Sequence, residues 1–200
     1  MVARTAPALS VRRLACSALV LLAMVASLFC AAPARAADPA VEFMKQVSRD
    51  LIAASRGRSM SAFQSVILRY GDITSIGLYS LGSYRARLAE TDKQNYLSGL
   101  TRFLARYAAT EAPKYPVSHA EILGPSKREW TGILVDTRVH LRDGTTYDVR
   151  WLLSRYGNSF RIRDAQVLGF WMTPMLKKLF EDYINENGGN PRALVVALNR

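Results

Sequence analysis

The sequence predicts an α+β fold in which helices pack on one face of a curved, mainly antiparallel four-stranded sheet and enclose an apolar pocket. Three observations predict it. Apolar residues recur at helical spacing through residues 37–116, they alternate with polar residues through 117–168, and helical spacing returns at 173–199. The 164 residues of the segment 37–200 suit a single domain, which can bury a core of ordinary size.

Residues 1–36 have the pattern of a signal peptide rather than of a folded element. Arg12 and Arg13 precede an apolar run over residues 14–29, and the small residues of "APARA" end at Ala36. This order of basic, apolar and small residues predicts export with cleavage near Ala36. The alternative is a membrane anchor, but a run of 16 residues is shorter than the roughly 20 that a span requires.

Without residues 1–36, the chain has a different cysteine count and net charge. Both cysteines, Cys16 and Cys30, lie within it, so residues 37–200 can form no disulfide and offer no thiol nucleophile. Four of the 27 basic residues also leave, and 23 Lys and Arg remain against 16 Asp and Glu, a net charge of about +7. Such a charge favours anionic lipid head groups or acidic protein surfaces, or serves solubility alone. We expect no nucleic-acid partner for an exported chain.

The helical half begins with "DPAVEFMKQVSRDLIAA", in which Asp38 is the expected N-cap and Pro39 the first helical residue. A second helix is predicted in "SAFQSVILRYGD" with Ser61 as its cap. Two short helices are predicted in "ITSIGLYSLGSYRARL". The long helix "TDKQNYLSGLTRFLARYAAT" follows, with a capping box from Thr91 to Gln94.

Four strands are predicted after Pro116: "VSHAEILG", "REWTGILVDTRVHLRD", "TTYDVRWLLSRYGN" and "SFRIRDAQVLG". Asp143-Gly144 and Gly157-Asn158 are hairpin-turn signals, so the strands form an antiparallel meander. Alternation gives this sheet one apolar and one charged face. Two helices close the chain, the first beginning at Thr173-Pro174 and the second at Asn190-Pro191.

The residues that could carry catalysis are few and scattered. The two histidines, His119 and His140, are predicted on the sheet surface, and they make a poor metal site without neighbouring ligands. There is no nucleophile elbow, phosphate loop or dinucleotide fingerprint. Three carboxylates on strands lie beside arginines and predict cross-strand ion pairs: Asp136, Asp148 and Asp164 with Arg138, Arg150 and Arg163. We therefore expect a protein that is not an enzyme and that uses no cofactor and no metal.

The connection "VLGFWMTPML" is unusual because joints between elements are normally polar. Phe170, Trp171, Met172 and Met175 lie in a short passage from strand to helix, where they have no polar role to serve. We expect them to line or gate an apolar cavity of the kind that binds small molecules.

Two long segments resemble the MlaC family, also described as toluene-tolerance auxiliary components. These are "FQSVILRYGDITSIGLYSLGSYRARLAETDKQNYLSGLTRFLARYAATEAPKY" and "NSFRIRDAQVLGFWMTPMLKKLFEDYINENGGNPRALVVALNR". The chain departs from the family where Phe160 replaces a frequent Trp and where "GFWMT" replaces a Gly-Val-Ser run. The second departure falls at the expected pocket and bears on the identity of the ligand.

The resemblance implies a periplasmic carrier that binds phospholipid and maintains outer-membrane lipid asymmetry. Its implied partners are an inner-membrane MCE-domain protein with its ABC transporter and an outer-membrane lipoprotein complex, and the carrier itself is expected to be a monomer. Three alternatives stay open: a hopanoid cargo, as in the hopanoid-associated HpnM branch, an adaptor that carries no lipid, and a small curved-sheet hydratase or isomerase.

Apolar residues on the long helix, the sheet and the terminal joint are the expected pocket lining, and nearby basic residues are expected at its mouth. The predicted lipid-binding residues are Ile76, Tyr79, Leu100, Phe103, Val135, Val139, Val149, Trp151, Phe170, Trp171, Met175 and Leu179. The predicted head-group residues are Arg85 and Lys177.

Overall fold

An antiparallel sheet forms one layer of the computed structural model, which describes residues 37–200. The predicted signal peptide and its cleavage site at Ala36 lie outside the described residues. The strands are β1 (Val117–Ile122), β2 (Lys127–Glu129), β3 (Gly132–Leu141), β4 (Thr146–Tyr156), β5 (Ser159–Val167) and β6 (Phe170–Trp171). Their order is β1-β3-β4-β5-β6, and β2 pairs with β3.

The predicted fold class is confirmed, but the predicted number of four strands is wrong because the sheet has six. The second predicted strand divides at Trp130 and Thr131 into β2 and β3, which pair with each other through Lys127 and Leu134. The sixth strand lies in the apolar joint. Both extra strands have only two or three residues, too few for an alternating pattern to reveal them.

The described chain also contains six α-helices and two 3₁₀ helices. They are α1 (Pro39–Gly57), α2 (Met60–Tyr70), α3 (Ile73–Ser80), a 3₁₀ helix (Gly82–Arg87), α4 (Glu90–Glu111), a 3₁₀ helix (Ala112–Lys114), α5 (Met172–Glu186) and α6 (Pro191–Leu198). Within the described part of the chain, none of them combines the length and the apolar character needed to cross a membrane.

Asp38 is the N-cap of α1, as predicted. Its Oδ1 accepts hydrogen bonds from the N–H groups of Ala40 and Val41 at 3.0 and 3.3 Å, and its Oδ2 accepts one from Ser126 N at 2.8 Å. Partial burial raises the pKa of this carboxyl, but the hydrogen bonds outweigh burial and leave the pKa below its ordinary value. One carboxylate therefore fixes the start of α1 against the loop that follows β1.

Two other predicted caps are wrong. Ser59, not Ser61, caps α2, and its Oγ accepts a hydrogen bond from Ala62 N at 3.4 Å. Helix α4 begins at Glu90 without a side-chain cap, so the capping box at Thr91 does not form. Ser59 and Ser61 are two residues apart and give the same sequence signal, and a sequence pattern places a helix end only to within one or two residues.

Among residues 37–200 the buried apolar residues form three clusters: one facing the sheet, one among the helices, and a small one of Ala54, Phe63 and Ala105 between α1, α2 and α4. Met44 and Val47 of α1 pack on Val135, Leu153 and Phe160 of the sheet. A second cluster lies between α3, α4, α5 and α6, with Tyr96, Leu100, Phe180, Ile184 and Leu194 among its buried members. Helix α1 is therefore the helix whose packing determines how much of the apolar face of the sheet is covered.

The opposite face of the sheet carries cross-strand ion pairs, as predicted for two of the three carboxylates. Arg138 bonds both carboxylate oxygens of Asp148 at 2.7 and 2.9 Å, and Arg150 bonds both oxygens of Asp136 at 2.7 and 3.1 Å. The third, Asp164, is not in such a pair, because its Oδ1 accepts hydrogen bonds from backbone N–H groups, including Thr173 N at 2.9 Å. It thereby anchors the first turn of α5.

Replacing Met44 with Ala tests the packing of α1 on the sheet. Met44 is fully buried, so the substitution leaves a cavity and should lower the free energy of unfolding by about 2–5 kcal/mol. Urea denaturation of the refolded protein measures the change. Leu68→Ala on the exposed side of α2 is the matched control, and its effect should stay within about 0.5 kcal/mol. Equal losses in the two variants would contradict this assignment of the core.

Replacing Asp136 with Asn tests the ion pairs of the outer face. The Arg150 guanidinium holds the pKa of Asp136 below its ordinary value of 3.8. The ion pair therefore contributes its full amount to the free energy of unfolding when the pH is above the ordinary pKa of 3.8. That contribution is lost as the pH falls through the lower pKa that Asp136 has in the folded protein. We expect Asp136→Asn to cost about 0.5–1 kcal/mol at pH 7, and the difference from wild type to shrink below about pH 4.

Urea midpoints measured at each pH give this comparison. Asp182→Asn, which removes an exposed carboxylate from a pair within α5, serves as the control and should change the midpoint less. If the difference in urea midpoint between Asp136→Asn and wild type instead grew as the pH fell, the pKa of Asp136 would not be lowered by folding and the prediction would be refuted.

Candidate functional site

An apolar cavity of about 320 Å³ lies between the sheet, α1, α2 and the end of α4. Most of its lining is hydrocarbon from these elements. The lining residues are Ser48, Leu51, Ile52, Ser55, Phe63, Ala108, Glu111, Ala112, Tyr115, Val117, Ala120, Thr137, Val139 and Trp151. Its volume falls at the lower end of the range of about 300–1,000 Å³ that is typical of ligand sites.

Three polar side chains of the cavity wall, Thr137, Trp151 and Glu111, are bonded to other protein groups. Thr137 donates its hydroxyl proton to the carbonyl oxygen of Val149 at 3.2 Å and accepts the indole N–H of Trp151 at 3.0 Å. Glu111 accepts a hydrogen bond from Lys114 at 2.8 Å. In residues 37–200, every buried side-chain nitrogen or oxygen has a partner. Where a ligand in this cavity contacts the protein, it would therefore meet mainly carbon.

The sequence produces this space by placing small residues where helices approach the sheet. Ala108 and Ala112 are four residues apart at the end of α4, and Ala120 faces them from β1. Leu51 and Ser55 repeat the same spacing on α1. A larger residue at any of the three alanines would fill volume that the fold otherwise leaves open.

A second, more polar groove of about 400 Å³ lies between α3, the start of α5 and the end of the sheet. Predicted site residues in it are Ile76, Tyr79 and Trp171. Leu152 adds apolar surface and Arg163 adds a positive charge. The structure thus places residues of the single predicted pocket in two separate depressions.

The predicted residues Val139 and Trp151 line the apolar cavity itself. Val149 is buried in β4 behind its wall, where its carbonyl oxygen bonds Thr137. Val135 is almost fully buried under α1, so it forms part of the core rather than of the lining.

The remaining predicted residues lie away from that cavity. Leu100 is buried in the helical cluster, and Phe103 contacts Phe180 there with ring centroids 5.8 Å apart. Met175 and Leu179 are exposed on α5. Among the predicted head-group residues, Arg85 is exposed on a 3₁₀ helix, and Lys177 pairs with Glu181 at 3.7 Å.

The apolar joint that precedes α5 is a tight hairpin. Val167 pairs with Phe170, and between them Leu168 and Gly169 have φ values of 52° and 84°. Two successive positive φ angles are typical of the two-residue turns that join antiparallel strands. The turn places Trp171 in the polar groove and leaves Phe170 66% exposed.

Sequence reasoning missed most of the residues that line the cavity, including Leu51, Ile52, Phe63, Ala108 and Ala112. Apolar periodicity identifies the inward face of a helix but does not show whether that face meets other side chains or open volume. The pair of alanines near the end of α4 was the available signal.

The residues that could support catalysis are not assembled in the described part of the chain. His119 and His140 stack on the sheet surface with ring centroids 4.2 Å apart, and His140 Nε2 is 3.2 Å from Glu121 Oε1. Across residues 37–200, no three His, Cys, Asp or Glu side chains are grouped to hold a metal ion.

Comparisons with known proteins place the chain in a family. No curated protein sequence matches it. A phospholipid-binding protein from Ralstonia solanacearum, solved in complex with a phospholipid, has the same fold, with a TM-score of 0.66 and 19% sequence identity. The match covers 82% of this chain and 96% of the Ralstonia chain. The family described as MlaC protein matches residues 35–200, and the chain therefore belongs to the MlaC family.

Proposed function

We propose that this protein is a periplasmic phospholipid-binding carrier, in which residues 37–200 form a single lipid-binding domain. The observation that carries the proposal is the cavity beneath α1, whose wall is almost wholly hydrocarbon and in which Thr137 and Trp151 bond each other. Val139 and Trp151 are the sheet residues that we expect to contact an acyl chain. Membership of the MlaC family and the phospholipid in the related Ralstonia structure support this choice of ligand.

The energetics of lipid transfer explain what such a site must supply. Each methylene group exposed to water costs about 0.8 kcal/mol, so one chain of about 16 carbons costs roughly 13 kcal/mol. A carrier that offers an interior close to the bilayer in polarity makes loading and release nearly balanced. No reactive side chain is needed for that exchange.

The cavity is too small for a whole phospholipid. An engineered protein cavity of about 150 Å³ accommodates a benzene molecule, so 320 Å³ has room for roughly two such groups. We infer that part of one acyl chain occupies the cavity and that the rest of the lipid extends through its wall. A second chain requires α1 to move away from the sheet.

The proposed carrier moves lipid between the two membranes of the cell envelope and thereby maintains the asymmetry of the outer membrane. Its proposed partners are an inner-membrane MCE-domain protein coupled to an ABC transporter and an outer-membrane lipoprotein complex. The signal-peptide pattern of residues 1–36 and the net positive charge support export and contact with acidic surfaces.

Mass spectrometry of lipids extracted from the protein purified from its own cells tests the function. We expect about one phospholipid per chain, because an empty hydrocarbon cavity next to a membrane would fill. A chain that carries no lipid and also takes up none from phospholipid vesicles would refute the proposal. Recovery of a hopanoid in place of phospholipid would reject phospholipid as the cargo.

Replacing Ala108 with Trp tests the site. The indole would project into the cavity and should lower the bound phospholipid at least fivefold, while the circular-dichroism spectrum stays that of the wild type. Ala86→Trp is the matched control, since Ala86 is exposed on a 3₁₀ helix and lines neither depression. Equal phospholipid occupancy in the two folded variants would place the acyl chain elsewhere.

A further inference from the structure

A further depression of about 570 Å³ lies beside the apolar cavity, between α1 and the edge strand β1. Ser48, Ile52 and Ala120 line both spaces, so the two adjoin at these side chains. The depression differs from the cavity in charge. Lys45, Arg49 and Arg56 contribute three cations to its lining, and Glu121 contributes its one carboxylate.

Two of these cations have no carboxylate partner among residues 37–200. Arg49 donates to the amide oxygen of Gln46 at 2.6 Å, and Arg56 donates to the carbonyl oxygen of Ser118 at 3.4 Å. Lys45 pairs with Glu42 at 2.7 Å. By contrast, Arg138 and Arg150 on the outer face of the sheet each bond both oxygens of an aspartate. The arginines of α1 therefore retain donors for a further anion.

Helix geometry places these donors around the shared wall. Arg49 and Arg56 are seven residues apart, which is two helical turns or about 10 Å along the axis of α1. Ile52, one of the three residues that line both spaces, lies between them. Guanidinium groups bind phosphate through paired N–H donors. A lipid that crosses the wall near Ile52 would bring its phosphate between the two arginines.

We propose that this α1–β1 groove binds the phosphate head group of the lipid whose acyl chain enters the cavity. Arg49 and Arg56 bond the phosphate oxygens, and Lys45 adds positive charge. The inference rests on the proposed lipid-binding function and adds the position and chemistry of head-group recognition. This position for the head group differs from the one expected from the sequence, at Arg85 and Lys177. The surface around Lys177 shares no lining residue with the apolar cavity, whereas the α1–β1 groove adjoins it.

The double variant Arg49→Gln, Arg56→Gln tests this assignment against the matched double variant Arg85→Gln, Lys177→Gln. Binding is measured with a fluorescent phosphatidylglycerol and with a diacylglycerol that has the same acyl chains and fluorophore but no phosphate. We expect the first variant to bind phosphatidylglycerol roughly tenfold or more weakly, because two charge-assisted hydrogen-bonding groups are lost. Its affinity for diacylglycerol should equal that of the wild type.

The outcomes separate this proposal from the proposed function. If wild type binds neither probe, the lipid-binding function itself fails. If wild type binds both and the α1 variant binds phosphatidylglycerol normally, or loses both probes equally, the head-group assignment alone is overturned. The head-group assignment would also be overturned if the Arg85→Gln, Lys177→Gln variant lost affinity for phosphatidylglycerol but not for diacylglycerol.

Titration with inorganic phosphate alone distinguishes a lipid head group from a free anion. We expect no saturable binding at millimolar phosphate, because a free anion lacks the acyl chain that holds a head group in the groove. Phosphate binding that Arg49→Gln, Arg56→Gln abolishes, together with unchanged phosphatidylglycerol affinity, would assign the groove to free phosphate and overturn the proposal.

Discussion

The packing of α1 across the apolar face of the sheet is the interaction on which the rest of the structure depends. In its first half, Met44 and Val47 close completely on the sheet, and Asp38 fixes the helix start. In its second half, Leu51 and Ile52 face open volume instead. The same helix therefore supplies stability at one end and borders an open apolar cavity at the other. A sheet covered along its whole length would have no interior to offer a ligand.

Much of the architecture was predictable because it follows from local rules. The Asp38 cap, the switch from helical to alternating periodicity and the ion pairs of Asp136 and Asp148 each depend on a few neighbouring residues. The two-residue strand β6 was not predictable, since its turn at Leu168-Gly169 lacks the usual Asn-Gly or Asp-Gly signal.

The cavity was the least predictable feature, and the reason is physical. Leu100 and Leu51 are both apolar residues on inward helical faces, yet one is packed on all sides and the other borders open volume. That difference is set by the distance between elements, which a single sequence does not encode locally. The arginines show a related division of roles. Those on the outer face hold strands together, whereas Arg49 and Arg56 leave donors available beside the cavity.

The hydrogen bond from Trp151 to Thr137 has a spectroscopic consequence. The chain has three tryptophans, and they lie in different surroundings. Trp151 lines the cavity, Trp171 lies in the polar groove, and Trp130 is 97% exposed. Thr137 holds the indole of Trp151 in the cavity wall, so we expect the emission of Trp151 to change if a ligand enters the cavity. Such a change would report filling and emptying in real time without a label attached to the protein or to the lipid.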